Sequence, residues 1–300
     1  MSILGRAVVA LMPLVPRQIV GRISRPYIAG ETLDDAIARI WDLMDQHCIA
    51  SLDILGEEVA HVEETEAFTL QYLETLDRIK TEGIESNISI KPTALGLNLD
   101  PTLCEANLRR LLARARELGN FVRIDMEDSS TTGATLDLYR NLRDDFDNVG
   151  VVLQAYLKRS LNDIEALKAL KVNVRVCKGI YIESPEIAFR DPQRIRDSFM
   201  EMVESLLTSD CYVGIATHDR QLVERSFELI DRLRPRKDTY EFQMLLGVEP
   251  GLRREIVEAG HTMRVYVPYG AQWYAYSTRR LKENPAIAGH VFRALLSSKS

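Results

Sequence analysis

Several residues, most of them polar or charged, stand where a short run of aliphatic and β-branched residues gives way to a polar segment. In chain order these residues are Lys91, Asp125, Gln154, Lys178, Thr217 with His218, Leu245 and Tyr266. Two ammonium groups and a carboxylate among them suit a small zwitterionic ligand, because each charge of the ligand would meet an opposite charge. The alternative is that Lys91 and Asp125 form a structural ion pair with each other.

A second group of reactive residues lies in the segment YGAQWYAYSTRRLKEN near the C-terminus. Trp273, Tyr276 and Arg280 are spaced at i, i+3 and i+7, so they would share one face of a helix. Arg279 and Glu283 are spaced at i and i+4, an arrangement that can hold a guanidinium in place. Adjacent residues on a helix point about 100° apart, so one arginine can bind a carboxylate while the other closes from the side. By itself, the same pattern also fits a solvated charged face.

The elements that would position these residues are eight short runs with the composition of β-strands. They span residues 49–55, 87–91, 121–125, 151–156, 172–178, 211–217, 240–245 and 263–268. Segments with helical periodicity separate the runs at the rhythm of consecutive βα units. No run is followed by a GxGxxG fingerprint, so a doubly wound dinucleotide-binding sheet has no support. The sequence therefore predicts an α/β fold, a single-domain (β/α)8 TIM-type barrel, whose active site lies at the carboxyl ends of the strands.

The predicted division of the chain is an N-terminal arm with a helix over residues 1–45, followed by the catalytic barrel over residues 46–300. Residues 7–16 of the arm, AVVALMPLVP, are apolar but too few to cross a bilayer. We expect this segment to pack on the barrel or on a second subunit. The alternative is a peripheral contact with a membrane.

The predicted strands alternate polar and apolar residues, which is unusual for strands that are covered on both faces. In the fifth run Arg175 lies between two valines, and in the third run Ile124 lies between Arg123 and Asp125. The apolar residues should face the helices, so the polar residues should point into the barrel. Because a buried charge without a partner is costly, the interior must hold an ion-pair network or a polar ligand. A ligand of cofactor size would meet this demand.

Composition excludes several classes of function. The chain of 300 residues carries a net charge of -6 and no long block of Lys and Arg, which argues against a nucleic-acid partner. The four cysteines form no CxxC pair, and no HExxH or other metal-binding pattern occurs. We therefore expect no structural or catalytic metal. Dispersed cysteines fit a reducing, cytoplasmic compartment.

Eight ordered motifs resemble those of the proline dehydrogenase family. They are SIKPTALG, FVRIDMEDS, VVLQAYLKR, VRVCKGIYIE, IATHD, EFQMLLGV, RVYVPYG and YSTRRLKEN. The resemblance extends from SLDILGEE at residue 51 to residue 284, and it includes the matching domain of the bifunctional proline-utilisation flavoproteins. It implies a (β/α)8 barrel that binds FAD and oxidises L-proline to pyrroline-5-carboxylate by hydride transfer, the first step of proline catabolism to glutamate. It also implies reoxidation of the flavin by a quinone and delivery of the product to a separate pyrroline-5-carboxylate dehydrogenase.

The resemblance further implies roles at the substrate end of the site. Lys91, Arg279 and Arg280 would bind the proline carboxylate, and Asp125 would hold this cationic cluster in position. The walls around the pyrrolidine ring would be formed by Tyr266, Tyr276 and Leu245. The catalytic residues would be Arg175, Asp125 and Tyr266.

Other motif residues would bind FAD. Arg175 would lie beside the flavin N5 atom and favour the electron-rich reduced flavin. Gln154 would lie near the ring, and Lys178 with Gly179 near the phosphates. Further contacts would come from Thr217 and His218. Glu283 would contact the ribityl chain or position the arginines.

Two residues depart from the family pattern. Leu246 stands where an aromatic residue or histidine is common, and Cys177 stands where an aliphatic residue is expected.

Two other functions also stay open at this point. One is a barrel flavoenzyme of the methylenetetrahydrofolate reductase type, which would use a nicotinamide donor and would not need Arg279 and Arg280 together. The other is a flavin-binding protein without turnover.

Overall fold

Eight parallel strands close into one barrel in the computed structural model, which describes residues 20–21, 24–56 and 59–277. Each strand pairs with the next along the chain, and the eighth strand closes the barrel by pairing with the first. The strands are β1 Ile49–Ile54, β2 Ser86–Ile90, β3 Val122–Ile124, β4 Val149–Gln154, β5 Asn173–Cys177, β6 Tyr212–Ala216, β7 Tyr240–Leu245 and β8 Met263–Tyr269. The predicted (β/α)8 fold is confirmed.

Helices alternate with the strands and form the outer layer. They are α1 Leu33–Met44, which precedes β1, and then α2 Val62–Glu82, α3 Pro101–Glu117, α4 Ser129–Arg143, α5 Ser160–Leu167, α6 Pro192–Leu207, α7 Arg220–Leu233 and α8 Pro250–Glu258. Four of these helices begin where an aspartate side chain accepts a backbone N–H of the first turn, which satisfies a donor that the helix itself leaves unpaired. These aspartates are Asp100, Asp128, Asp191 and Asp219.

The alternation of polar and apolar residues divides the barrel into two layers. On β5, Val174 and Val176 are fully buried in the apolar core. Arg175 between them points inward and contacts side chains of β2 and β7. Gln243 of β7 likewise points into the barrel. The predicted inward direction of the polar residues is confirmed, and it brings charged groups from distant parts of the chain together.

The first helix is part of the barrel core. Ala36, Ile40 and Leu43 of α1 are buried in the same apolar cluster as the strands, and α1 packs on β1 and β8. It therefore covers the junction at which the barrel closes. Within the described ranges, no helix is long and apolar enough to cross a membrane. The apolar segment 7–16 lies outside the described residues, and the division of the chain at residue 45 stays a prediction.

Candidate active site

A cavity of about 350 Å³ opens at the carboxyl ends of the strands, and its volume is in the range of small-molecule sites. The predicted site residues that the structure describes all line it: Lys91, Asp125, Gln154, Arg175, Lys178, Gly179, Thr217, His218, Leu245, Tyr266 and Tyr276. Three further predicted residues lie outside the described part of the chain: Arg279, Arg280 and Glu283. Residues from seven strand ends and the segment after β8 thus converge on one space.

Arg175, Asp125 and Tyr266 form a hydrogen-bonded triad on the wall of this cavity. Arg175 Nη1 donates to Asp125 Oδ1 at 2.7 Å, and the Tyr266 hydroxyl donates to Asp125 Oδ2 at 2.9 Å. The guanidinium lies 5.2 Å from the centroid of the Tyr266 ring, within the range of a cation–π contact. Burial, together with the charge of Asp125, raises the pKa of Tyr266 well above its usual value. The phenol therefore stays protonated, and each member of the triad holds the other two in place.

Arg175 is also held from the interior of the barrel. Its Nε donates to Gln243 Oε1 at 2.5 Å, and Gln243 Nε2 donates to Glu241 Oε1 at 2.6 Å. Arg264 Nε donates to the same Glu241 oxygen at 2.7 Å. Burial alone would raise the pKa of Glu241, but Arg264 and the hydrogen bonds lower it, so the carboxylate stays ionised. A polar chain therefore passes through the barrel from Arg175 to Arg264.

Asp53, a residue that was not predicted from the sequence, is a counter-ion of Lys91. Lys91 Nζ donates to Asp53 Oδ1 at 2.6 Å, whereas Asp125 forms its ion pair with Arg175. Lys91 and Asp125 therefore each have an ion-pair partner other than the one considered from the sequence. The signal that could have located Asp53 was the inward parity of β1, where Ser51 and Asp53 alternate with aliphatic residues.

Gln154 and Glu127 form the cavity wall beyond β3 and β4. Gln154 Nε2 donates to the Glu127 carbonyl at 3.2 Å, and the Glu127 carboxylate accepts from the backbone and the hydroxyl of Thr93. Gln154 is buried, and within the described ranges its Oε1 atom has no hydrogen-bond donor. Because an unsatisfied buried acceptor costs free energy, a ligand N–H in the cavity would stabilise this arrangement.

Gly179 occupies a position that only glycine fits. Its backbone φ is +99°, in the left-handed region that side chains disfavour. A Cβ atom at this position would also overlap the ring of Tyr156. The chain can therefore turn from β5 into the cavity-lining loop only if residue 179 has no side chain.

Lys178 and Arg196 place two cations beside the end of β6. Both bind Asp219 Oδ2, with Lys178 Nζ at 3.1 Å and Arg196 Nε at 2.8 Å. Burial by itself would raise the pKa of Asp219, but its bonds to the two cations lower it. Because two cations share one carboxylate, the cluster keeps a net positive charge that suits an anionic group. Arg196 was not predicted as a site residue, since its position on α6 gives no signal in the sequence.

His218 is a hydrogen-bond acceptor at the cavity edge. Its Nε2 atom accepts from the backbone N–H of Leu245 at 2.8 Å. Nε2 therefore carries a lone pair, and the imidazole is neutral with its proton on Nδ1. The neighbouring Thr217 Oγ1 accepts from the backbone N–H of Asp219 at 3.1 Å. The first bond holds the segment after β6 against β7, and the second fixes the turn that leads into α7.

Tyr276 and Trp273 lie on a short helical segment, residues 273–277, that follows β8. Both belong to one apolar cluster with Ile28 and Leu55, as their helical spacing predicted. Trp273 Nε1 donates to Glu31 Oε1 at 2.6 Å, and Tyr276 reaches the cavity. The segment before α1 therefore anchors the helix that carries a wall of the site.

Fold and site together define a (β/α)8 barrel enzyme with an ion-paired interior and a ligand cavity at the carboxyl ends of its strands. A family model described as proline dehydrogenase matches residues 36–293. The chain belongs to the proline dehydrogenase family of oxidoreductases.

Relatives cover most of the chain. Proline dehydrogenase 1 of Bacillus subtilis subsp. natto is 35% identical over 91% of this chain and 90% of its own length. Proline dehydrogenase of Deinococcus radiodurans is 33% identical over 93% of this chain and 92% of its own. Proline utilization A from Bdellovibrio bacteriovorus, in a crystal structure inactivated by N-propargylglycine, has a TM-score of 0.82 and 24% identity. This chain matches 32% of that longer protein, and the likeness shows the shared barrel fold.

Proposed function

We propose that this protein oxidises L-proline to pyrroline-5-carboxylate with FAD as its bound cofactor. The reaction removes a hydride from the ring carbon beside nitrogen and a proton from the nitrogen. The observation that supports the proposal is that Arg175 is buried at the cavity wall, where Asp125 and Gln243 hold it. The chain that contains this arrangement is a member of the proline dehydrogenase family. A fixed cation at that place favours negative charge on the group that accepts the hydride.

The residues around the cavity fit a flavin. The buried Gln154 Oε1 can accept from an imide N–H of the ring, and the Lys178–Arg196 pair of cations can bind the phosphates. Gly179 lets the backbone turn close to that group, and Thr217, His218 and Glu283 complete the proposed contacts. When bound, FAD supplies the two-electron acceptor.

At the substrate end, Lys91 would bind the proline carboxylate together with Arg279 and Arg280. Asp125 would support this cationic group while it holds Arg175. Leu245, Tyr266 and Tyr276 line the cavity and would enclose the apolar ring. Fixing both the carboxylate and the ring holds the reacting carbon in one place, which lowers the entropic part of the barrier.

The substrate amine has to be neutral before it can release a hydride. We therefore expect the rate of flavin reduction to rise with pH toward the effective pKa of the bound amine. In the proposed mechanism the amine proton leaves to water. A solvent deuterium isotope effect of unity on flavin reduction would count against this part of the mechanism.

The test is an absorption spectrum of the purified protein before and after anaerobic addition of proline. We expect a flavin spectrum that proline bleaches and NADH leaves unchanged. Bleaching by NADH would favour the reductase alternative, and a flavin that neither compound bleaches would favour a binding protein without turnover. A colourless protein that takes up no added FAD would refute the proposal.

The proposed carboxylate site has its own test. Arg280→Lys keeps the positive charge but loses the planar pair of donors that matches a carboxylate. We expect the KM for proline to rise by about tenfold or more, since the loss of one strong hydrogen bond corresponds to that factor. An unchanged KM would refute the carboxylate role of Arg280.

We also propose a quinone as the acceptor that reoxidises the flavin, in a cytoplasmic protein with peripheral membrane contact through its apolar N-terminal segment. The product would pass to a separate pyrroline-5-carboxylate dehydrogenase. Proline-dependent reduction of a soluble quinone tests the acceptor. Partition of the protein onto lipid vesicles, with and without residues 1–20, tests the membrane contact, and equal partition would refute it.

A further inference from the structure

The pair formed by Asp53 and Lys91 links the buried interior to the proposed carboxylate site. Asp53 on β1 is fully buried, and its Oδ1 accepts from Lys91 Nζ at 2.6 Å. Lys91 lines the cavity, whereas Asp53 is absent from the lining residues. We propose that Asp53 is a positioning residue for substrate binding, which keeps the Lys91 ammonium charged and directed at the proline carboxylate. This inference rests on the proposed function.

Charged and titratable groups at the ends of β2 and β3 and on β8 and α2 face Asp53. Burial raises the pKa of Asp53, and the Lys91 ammonium opposes this rise. The charge of Asp125 at the end of β3, which pairs with Arg175 at 2.7 Å, adds to the rise. The other titratable neighbours are phenols: Tyr72 of α2 and Tyr266 and Tyr269 of β8. Burial raises the pKa of all three phenols, so they stay neutral. Asp53 therefore places a buried carboxylate in direct contact with the Lys91 ammonium.

Loss of Asp53 should change the protonation of Lys91 rather than only its position. A buried ammonium that loses a buried counter-ion gives up its proton at a lower pH, because the low dielectric disfavours the charged form. Once neutral, the Lys91 amine no longer attracts a carboxylate. Binding of proline should then weaken as pH rises, in a range where the unaltered protein keeps its affinity.

The experiment measures the KM for proline and the rate of anaerobic flavin reduction between pH 6 and 9 in the FAD-loaded protein. We compare the KM of Asp53→Asn with that of the unaltered protein at each pH. This KM ratio should grow by about tenfold or more from pH 6 to pH 9, because a shift of one pKa unit corresponds to a factor of ten. Asp163→Asn is the matched control, because Asp163 is also a buried carboxylate paired with a cation, Arg159 at 2.8 Å, but lies on α5 and does not line the cavity. Its KM ratio should stay constant with pH.

A purely structural role would raise KM by the same factor at every pH, and that result would overturn the inference. Adding Lys91→Arg to Asp53→Asn should remove the pH dependence, because a guanidinium keeps its proton throughout this range. Failure of the proposed function would look different, since proline would then not bleach the flavin of the unaltered protein.

A second measurement keeps the inference testable if Asp53→Asn does not fold. The double variant Asp53→Asn/Lys91→Met contains neither buried charge, and removal of both partners is far less costly than removal of one. If Asp53 acts through Lys91, the double variant should have the same KM as Lys91→Met alone. A KM several-fold higher in the double variant would overturn the inference.

Discussion

The Nε atom of Arg175 donates to the side-chain oxygen of Gln243 at 2.5 Å, and the opposite end of that amide is held by Glu241. Because Glu241 accepts from the Gln243 nitrogen, the amide oxygen has to face Arg175. Gly214 on the neighbouring strand β6 makes room for this amide, since a Cβ atom there would overlap it. The orientation of the central guanidinium is therefore set from inside the barrel, by Gln243, Glu241 and Gly214.

Gln243→Leu tests this relationship. The change removes the acceptor for Arg175 Nε and leaves Glu241 without one of its donors, so the guanidinium loses one of its three side-chain partners. We expect the limiting rate of flavin reduction by proline to fall about tenfold, the effect of one hydrogen bond to a charged group. Stopped-flow reduction measures this rate. Gln193→Leu on the exposed face of α6 is the control, and an equal loss there would refute the role of Gln243.

Tyr266→Phe separates the hydroxyl of the triad from its ring. The variant loses the 2.9 Å hydrogen bond to Asp125 but keeps the aromatic face near Arg175. We expect kcat/KM for proline to fall by about tenfold, because Asp125 loses a donor that fixes it. Tyr240→Phe removes a phenol near the opposite end of the barrel, which bonds His261 at 3.0 Å, and should leave kcat/KM unchanged. Equal activities of the two variants would contradict the role of the triad.

Gly179→Ala should empty the cofactor site while the barrel still folds. The new methyl group meets the Tyr156 ring in addition to the strain of a φ of +99°, so the loop has to move. Gly83→Ala is a matched control, because Gly83 has a φ of +65° but open space around it. Gly83→Ala should cost only about 1 kcal/mol of stability, the strain of the left-handed backbone. The ratio of bound flavin to protein distinguishes them, and full occupancy in Gly179→Ala would contradict this account.

His261 should make the fold sensitive to acid. Its ring stacks on Phe227 with centroids 4.8 Å apart, and its Nδ1 lies 3.0 Å from the Tyr240 hydroxyl. Burial, with the charge of Lys237, lowers its pKa below the usual 6.5. The unfolded chain therefore binds a proton before the folded protein does, and stability is lost as pH falls below about 6.5. In His261→Asn the midpoint of thermal unfolding should vary less between pH 7 and 5. Exposed His47→Asn is the control, and equal slopes for His261→Asn and the unaltered protein would contradict the assignment.

The barrel and the location of its site could be predicted from local patterns. Alternation with a period of two decides which side chains point inward, and it needs no knowledge of the rest of the fold. The same pattern locates the strand ends. It therefore predicted that Lys91, Asp125 and Tyr266 lie near one another at one end of the barrel. The motif resemblance added roles that spacing alone could not supply.

Only the closed barrel decides which inward-facing groups bind each other. Asp53 and Lys91 come from adjacent strands, but Arg175 reaches Gln243 on β7 and Asp125 on β3 across the interior. Such partners depend on strand register and on side-chain length within one enclosed space, and neither is encoded in a local pattern. For this reason Lys91 was paired with the wrong carboxylate in the structural alternative, although both carboxylates were visible in the sequence. Charge and direction are local properties of a strand, whereas pairing is a property of the whole barrel.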